Sequence, residues 1–231
     1  MKIRNIKCVV EFGSYSRGDN DQYSDYDVCV FTTNSRLDEF KSKEAIIKSI
    51  IPLEIPSERI SFVFYNENQL SMMINEGSLF LWHIKKEARI LFGSNFFKYR
   101  LDNLKSFDKY TEDLNYHREI FQELEDSYSK INIPNVFDLS LMFTIARNTC
   151  MLLCHKHGQF KFGRLDSFKA CKELFSDFPL SFDDYTYLSR KKNHYERGIE
   201  SELNLETYRF EELLSELNKL FEYASKKISN N

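Results

Sequence analysis

The sequence predicts an α+β protein, an N-terminal α/β unit with a mixed sheet over residues 1–98 followed by an all-helical bundle over 99–231. Three observations carry this reading. Before residue 100, apolar runs of four to seven residues rich in Val, Ile and Phe alternate with helical stretches; after it, the strand-like runs vanish and apolar residues recur at three- and four-residue intervals. The length, 231 residues, suits two modest domains at roughly 100–150 residues each. The composition, 42% hydrophobic and 29% charged, is that of an ordinary globular chain.

Element by element, Lys7–Phe12, Asp27–Thr33 and Arg59–Tyr65 read as strands. Between the second and third, Arg36–Ile50 carries Leu37, Phe40, Ala45, Ile46 and Ile50 at helical spacing. In the second half, helices are expected over Leu101–Ser129, Phe137–His157, Leu165–Phe175 and Tyr208–Ile228. The clearest stripe is Leu213, Leu214, Leu217, Leu220, Phe221 and Ala224. Breaks fall at Ile133-Pro134-Asn135, at His157-Gly158-Gln159 and near Pro179.

Charge and cysteine usage exclude several classes. With 32 Lys+Arg against 35 Asp+Glu there is no basic excess to track a phosphate backbone, so a charge-driven DNA binder is not expected. No apolar leader and no run near the ~20 residues that span a bilayer is evident, which predicts a cytoplasmic protein with no membrane partner. The five cysteines lie mostly in apolar runs and read as buried thiols. Cys154-His155-Lys156-His157 has no second Cys/His pair to make a zinc site.

Glycine is scarce, seven in 231, yet Gly13 and Gly18 flank one short loop. The stretch Phe12-Gly13-Ser14-Tyr15-Ser16-Arg17-Gly18-Asp19 reads as a strand delivering the chain to a small-residue turn at a helix start. Backbone N–H groups and the Ser14 hydroxyl there form a cradle for phosphate. Asp25 and Asp27 then stand two apart at the head of a strand, so period-2 alternation places both carboxylates on one face. Two adjacent carboxylates are hard oxygen ligands suited to Mg²⁺ bridging to substrate phosphates. Cradle and metal platform together describe phosphoryl or nucleotidyl transfer. Asp19 and Asp21 read as a polar turn, and Arg190-Lys191-Lys192-Asn193-His194 as a solvated helix face.

Gly-Ser-x-x-Arg-Gly followed by Ser-Asp-x-Asp entering a hydrophobic strand resembles the signature of the DNA polymerase β-type nucleotidyltransferase superfamily, above all its minimal and antibiotic-modifying members. The resemblance implies that Gly13 and Ser14 hold the nucleotide phosphates, that Asp25 and Asp27 are the catalytic metal ligands, and that Arg17 braces the loop or touches phosphate. It implies an Mg²⁺-dependent enzyme moving a nucleoside monophosphate, AMP from ATP first among them, onto a hydroxyl with release of pyrophosphate. The partners so implied are a nucleoside triphosphate and a hydroxyl-bearing acceptor, whether a small molecule, a protein or an RNA 3′ end; a homodimer stays open. Relatives generally carry a third carboxylate on a later strand, where this sequence has Ser61, with Glu58 as the acid closest to it. That substitution supports an alternative, a nucleotide-binding or antitoxin-like interaction protein with impaired turnover. In the second half, Arg147-Asn148 with His155 loosely resembles the element of HEPN-type helical domains. Eight helical positions turn by roughly 800°, which leaves Arg147 and His155 about 80° apart rather than aligned, and a structural role is expected for the bundle.

Overall fold

The computed structural model describes residues 5–21, 24–196 and 207–229. The chain divides into two compact units, Met1–Asp108 and Lys109–Asn231, and the fold is α+β as predicted.

The first unit is built on four strands in the order β3-β2-β1-β4, namely β1 (Ile6–Phe12), β2 (Tyr26–Thr32), β3 (Ile60–Asn66) and β4 (Arg89–Phe92). β1 runs antiparallel to both β2 and β4, whereas β2 and β3 are parallel, so the sheet is mixed. Between β1 and β2 lies the short helix α1 (Gly13–Arg17). The crossover from β2 to β3 holds α2 (Glu39–Ser49), and α3 (Glu67–Asn75), α4 (Leu79–Glu87) and α5 (Ser94–Leu101) complete the unit.

Alternation along the strands sorts the core into two layers. Cys8, Val10, Cys29 and Phe31 face Leu70 and Ile74 of α3, Leu81 and Ile84 of α4, and Phe97 and Leu101 of α5. On the other face Val9, Val28 and Val30 pack with Ile46 of α2 and with Ile51. Three strands and α2 lie within a few residues of their sequence readings. β4, α3 and α4 escaped, because four residues of β4 are too few for a period and the helices alternate short apolar runs with charge.

One charged residue sits inside the second layer. Glu11 is 1% exposed, and its Oε2 accepts from the Tyr26 hydroxyl and, at 2.5 Å, from Arg89 Nη2. Burial, reinforced by the neighbouring carboxylate, pushes the Tyr26 phenol well above its ordinary range. A buried carboxylate is tolerable only while its partners stay in place.

The second unit consists of α6 (Tyr110–Ile131), α7 (Val136–Lys156), α8 (Asp166–Leu174), α9 (Phe182–Glu196) and α10 (Thr207–Ser229). The long helix read over Leu101–Ser129 is instead two, because α5 ends at Leu101 and α6 begins only at Tyr110. α7 starts after Pro134, with Asn135 capping it by accepting from the Asp138 N–H at 2.9 Å. It buries side chains all round its circumference, from Leu139 to Cys154. α7 is long and apolar enough to cross a membrane, yet more than half of its apolar window is inside the bundle, as in a core helix. Leu213, Leu217, Leu220, Phe221 and Ala224 line the buried side of α10, as the stripe predicts. All five cysteines are buried thiols.

The Arg190–His194 run differs from its reading. Lys191 is 8% exposed and lies over the Tyr187 ring, Lys192 pairs with Glu196 at 2.8 Å, and Asn193 accepts from Arg164. It is knitted into its own unit rather than presented as a solvated face.

Arg89→Ala should leave the Glu11 carboxylate buried with a single donor. Because the Arg89 side chain is itself 62% exposed, the loss should be about 1–2 kcal/mol rather than the full cost of a buried pair. Trp82, the single tryptophan, lies in the first unit, so its fluorescence in a urea titration measures this directly; an unchanged midpoint would contradict the role given to the pair.

Candidate active site

The site forms where β1 ends and β2 begins. Phe12 and Asp27 are register partners across these antiparallel strands. The chain then turns at Gly13 with φ +74°, a conformation that favours glycine. A Cβ on Gly13 would also overlap Oδ2 of Asp27. Residue 13 therefore has no side chain for two separate reasons, backbone angle and the seating of the Asp27 carboxylate.

The five-residue helix α1 follows. Its N-cap is Phe12, which offers no side-chain oxygen, so the first-turn N–H groups have no side-chain cap. Ser14 sits half-buried at that end. The helix closes at Gly18 with φ +76°, whose N–H reaches back to Tyr15 O at 3.2 Å. Beyond it the Asp21 N–H donates to Ser24 Oγ at 2.9 Å. Arg59 Nη2 donates to Ser24 O at 2.7 Å and holds the loop just before Asp25.

Asp25 is exposed immediately before β2, and Asp27 is half-buried on it. By alternation Asp27 lies on the sheet face covered by α3, α4 and α5, and Asp25 stands two residues ahead of it, before the strand. The parallel register places Ser61 of β3 directly beside Asp27, so the seat next to Asp27 carries an exposed hydroxyl. Glu58 lies outside the strand, on the 3-10 turn Ser57–Arg59. Among the described residues no group of three or more Asp, Glu, His or Cys side chains could hold a metal. Asp25 and Asp27 are nonetheless hard oxygen donors of the kind Mg²⁺ takes one or two at a time, the rest of its shell coming from water and substrate phosphates.

Arg17 is engaged within the loop region. Its guanidinium donates to Glu87 Oε2 at 2.8 Å and to Asp19 Oδ2 at 3.2 Å. Glu87 closes α4 and also meets His83 Nε2 at 3.0 Å, while its backbone carbonyl accepts from the Ser16 hydroxyl. Burial works to raise the Glu87 carboxyl, but the bonds from His83 and Arg17 outweigh it and hold the group below the ordinary carboxylate value. Sequence reasoning missed Glu87 and His83. Their four-residue spacing marks one helix face, but nothing local ties that face to Arg17, seventy residues away.

In the second unit Arg147 and His155 bond to different groups. Arg147 Nη2 donates to Phe162 O at 2.6 Å, whereas His155 Nδ1 pairs with the Tyr110 hydroxyl at 2.8 Å. The two side chains leave α7 toward different neighbours, and the HEPN-like reading gains no support.

Gly13→Ala and Gly18→Ala separate the two reasons for glycine. At Gly18 an added Cβ meets nothing within 4 Å, so only the left-handed backbone is penalised, by about 1 kcal/mol. At Gly13 the same strain is joined by displacement of the Asp27 carboxylate, a side-chain end that can turn away, so the cost should exceed that at Gly18 modestly, at about 1–2 kcal/mol. Trp82-monitored urea unfolding of both variants checks the ranking, which equal losses would refute.

Residues 1–96 match the family model described as polymerase beta, nucleotidyltransferase. No curated protein matches the sequence significantly. Among solved structures, spectinomycin adenyltransferase AAD(9) from Enterococcus faecialis, with ATP and spectinomycin, aligns at 15% identity over 96% of this chain and 92% of that one, with a TM-score of 0.49. The matched span contains Gly13–Asp27, the mixed sheet and α1 to α4, so the likeness to polymerase beta nucleotidyltransferases lies in the first unit of the chain.

Proposed function

We propose that the chain transfers a nucleoside monophosphate, AMP from ATP in the first instance, to a hydroxyl acceptor with release of pyrophosphate, in an Mg²⁺-dependent reaction. The observation that carries this is the seating of the Asp27 carboxylate against Gly13, at the mouth of an uncapped helix start. Gly13 and Ser14 receive the triphosphate, the first through backbone N–H groups and the second through its hydroxyl as well. Asp25 and Asp27 hold the metal from one strand face. Mg²⁺ bound there neutralises the triphosphate and acidifies the acceptor hydroxyl. Arg17, paired with Glu87 and Asp19, keeps α1 in place rather than spending its charge on phosphate.

The acceptor is a small molecule, a protein or an RNA 3′ end. A net charge of −3 gives an extended nucleic acid little to bind, which favours the first two. Incubating the purified chain with α-labelled ATP, Mg²⁺ and panels of aminocyclitols, total protein or total tRNA should label one class. Asp25→Asn/Asp27→Asn should reduce incorporation by at least about 10³-fold; undiminished labelling would refute the assignment.

Ser61 beside Asp27 favours a second reading, nucleotide binding with impaired turnover. The two readings part on Ser61→Asp. A restored carboxylate should raise turnover by about 10²-fold if proton removal from the acceptor limits the wild type. A wild type that binds Mg-ATP and labels nothing, together with a Ser61→Asp variant that is equally inactive, belongs to the binding reading.

A further inference from the structure

The helix proposed to receive the triphosphate is too short to hold itself; its Tyr15 packs against Tyr26 of β2, and two of its polar contacts meet one residue outside it, Glu87. Five residues form barely more than one turn, below the length at which an isolated helix persists. Two bonds tie α1 to Glu87 at the end of α4. Arg17 Nη1 donates to the carboxylate at 2.8 Å, and the Ser16 hydroxyl donates to the Glu87 carbonyl. His83 Nε2 steadies the acceptor itself, meeting the same carboxylate oxygen as Arg17 at 3.0 Å.

The Arg17, Glu87 and His83 side chains are 17%, 13% and 13% exposed, so this pairing is screened far less than a surface bridge. Its far end is rigid. Leu81 and Ile84 anchor α4 in the core, the His83 ring packs edge-on against Phe12 at 5.8 Å, and β4 begins two residues later by pairing with β1. Arg89 meets Glu11 of β1 there at 2.5 Å. Two ion pairs of opposite polarity, Arg17–Glu87 and Glu11–Arg89, thus fix the strand and the helix on either side of Gly13.

We infer that Glu87 is the positioning residue of the phosphate cradle, acting through Arg17 and Ser16 to hold α1 in the orientation that presents Gly13 and Ser14 to a triphosphate. This rests on the nucleotide-binding reading above. Glu87 touches no reacting atom; its effect belongs to nucleotide affinity and not to the chemical step.

The test is calorimetric titration of Mg-ATP onto the full chain, in wild type, Glu87→Gln, Arg17→Gln and the double variant, with Trp82 emission confirming that each is folded. Each single variant should weaken binding about tenfold, and the loss in the double should be far less than additive, since the Arg17–Glu87 bond is lost in both. Where an acceptor is known, KM for ATP should rise while kcat stays within about twofold. Additive losses would overturn the inference, as would wild-type affinity in Glu87→Gln. Should Glu87→Gln fail to fold, Glu87→Asp takes its place: the carboxylate is kept but shortened by one methylene, and unaltered affinity would again overturn the inference. A wild type that binds no Mg-ATP rejects the nucleotide reading and the inference together, whereas binding that ignores residue 87 rejects the inference alone.

Discussion

The site depends on one steric accommodation, the absence of a side chain at residue 13 where the Asp27 carboxylate comes to rest. The turn that ends β1 needs a positive φ, and the strand paired with β1 delivers Asp27 to that spot through its register with Phe12. Glycine resolves both demands at once. From this follows the start of α1 at the end of β1, with no side-chain cap on its first turn. A larger residue at 13 would disturb the turn into α1 and the seat of the Asp27 carboxylate together, because the two meet at one contact.

Around this contact the unit distributes its charges unevenly. Glu11 and Arg89 pair under the sheet, Arg17 and Glu87 pair over it, and Arg59 holds the loop backbone ahead of Asp25. Asp25 and Asp27 lie at the start of β2, where the proposed function places the metal. Ser61 changes the balance on the acceptor side. A hydroxyl there adds no repulsion to the two carboxylates, so the stability of the unliganded chain gains while any proton transfer that a third carboxylate would perform is lost.

The parts of this arrangement that are local in sequence were legible there. The Gly13–Gly18 loop and the strands that frame it follow from periodicity and turn chemistry, whereas Ser61 is singled out by the family resemblance and its place beside Asp27 needs the parallel pairing of β2 and β3. What could not be read are contacts between distant segments. Glu87 and His83 look like any exposed four-residue pair until α4 folds back over α1. Arg17 could serve phosphate or a carboxylate with equal plausibility until Glu87 appears beside it. Glu11 shows the same limit, because a carboxylate inside a strand reads as solvent-facing when its partners, Tyr26 and Arg89, lie on other strands. In the helical unit the stripe of α10 was plain. The α5–α6 break was not, because the connecting residues lack the proline or glycine that would announce it.

The central claim is that Asp25 and Asp27 bind nucleotide through a divalent cation rather than simply beginning a strand. Calorimetric titration of a non-hydrolysable ATP analogue onto the full chain, once with Mg²⁺ and once with EDTA, tests it most directly. Binding that requires Mg²⁺ and disappears in Asp27→Asn is the predicted result, and affinity that is the same in EDTA, or unchanged in Asp27→Asn, would contradict it.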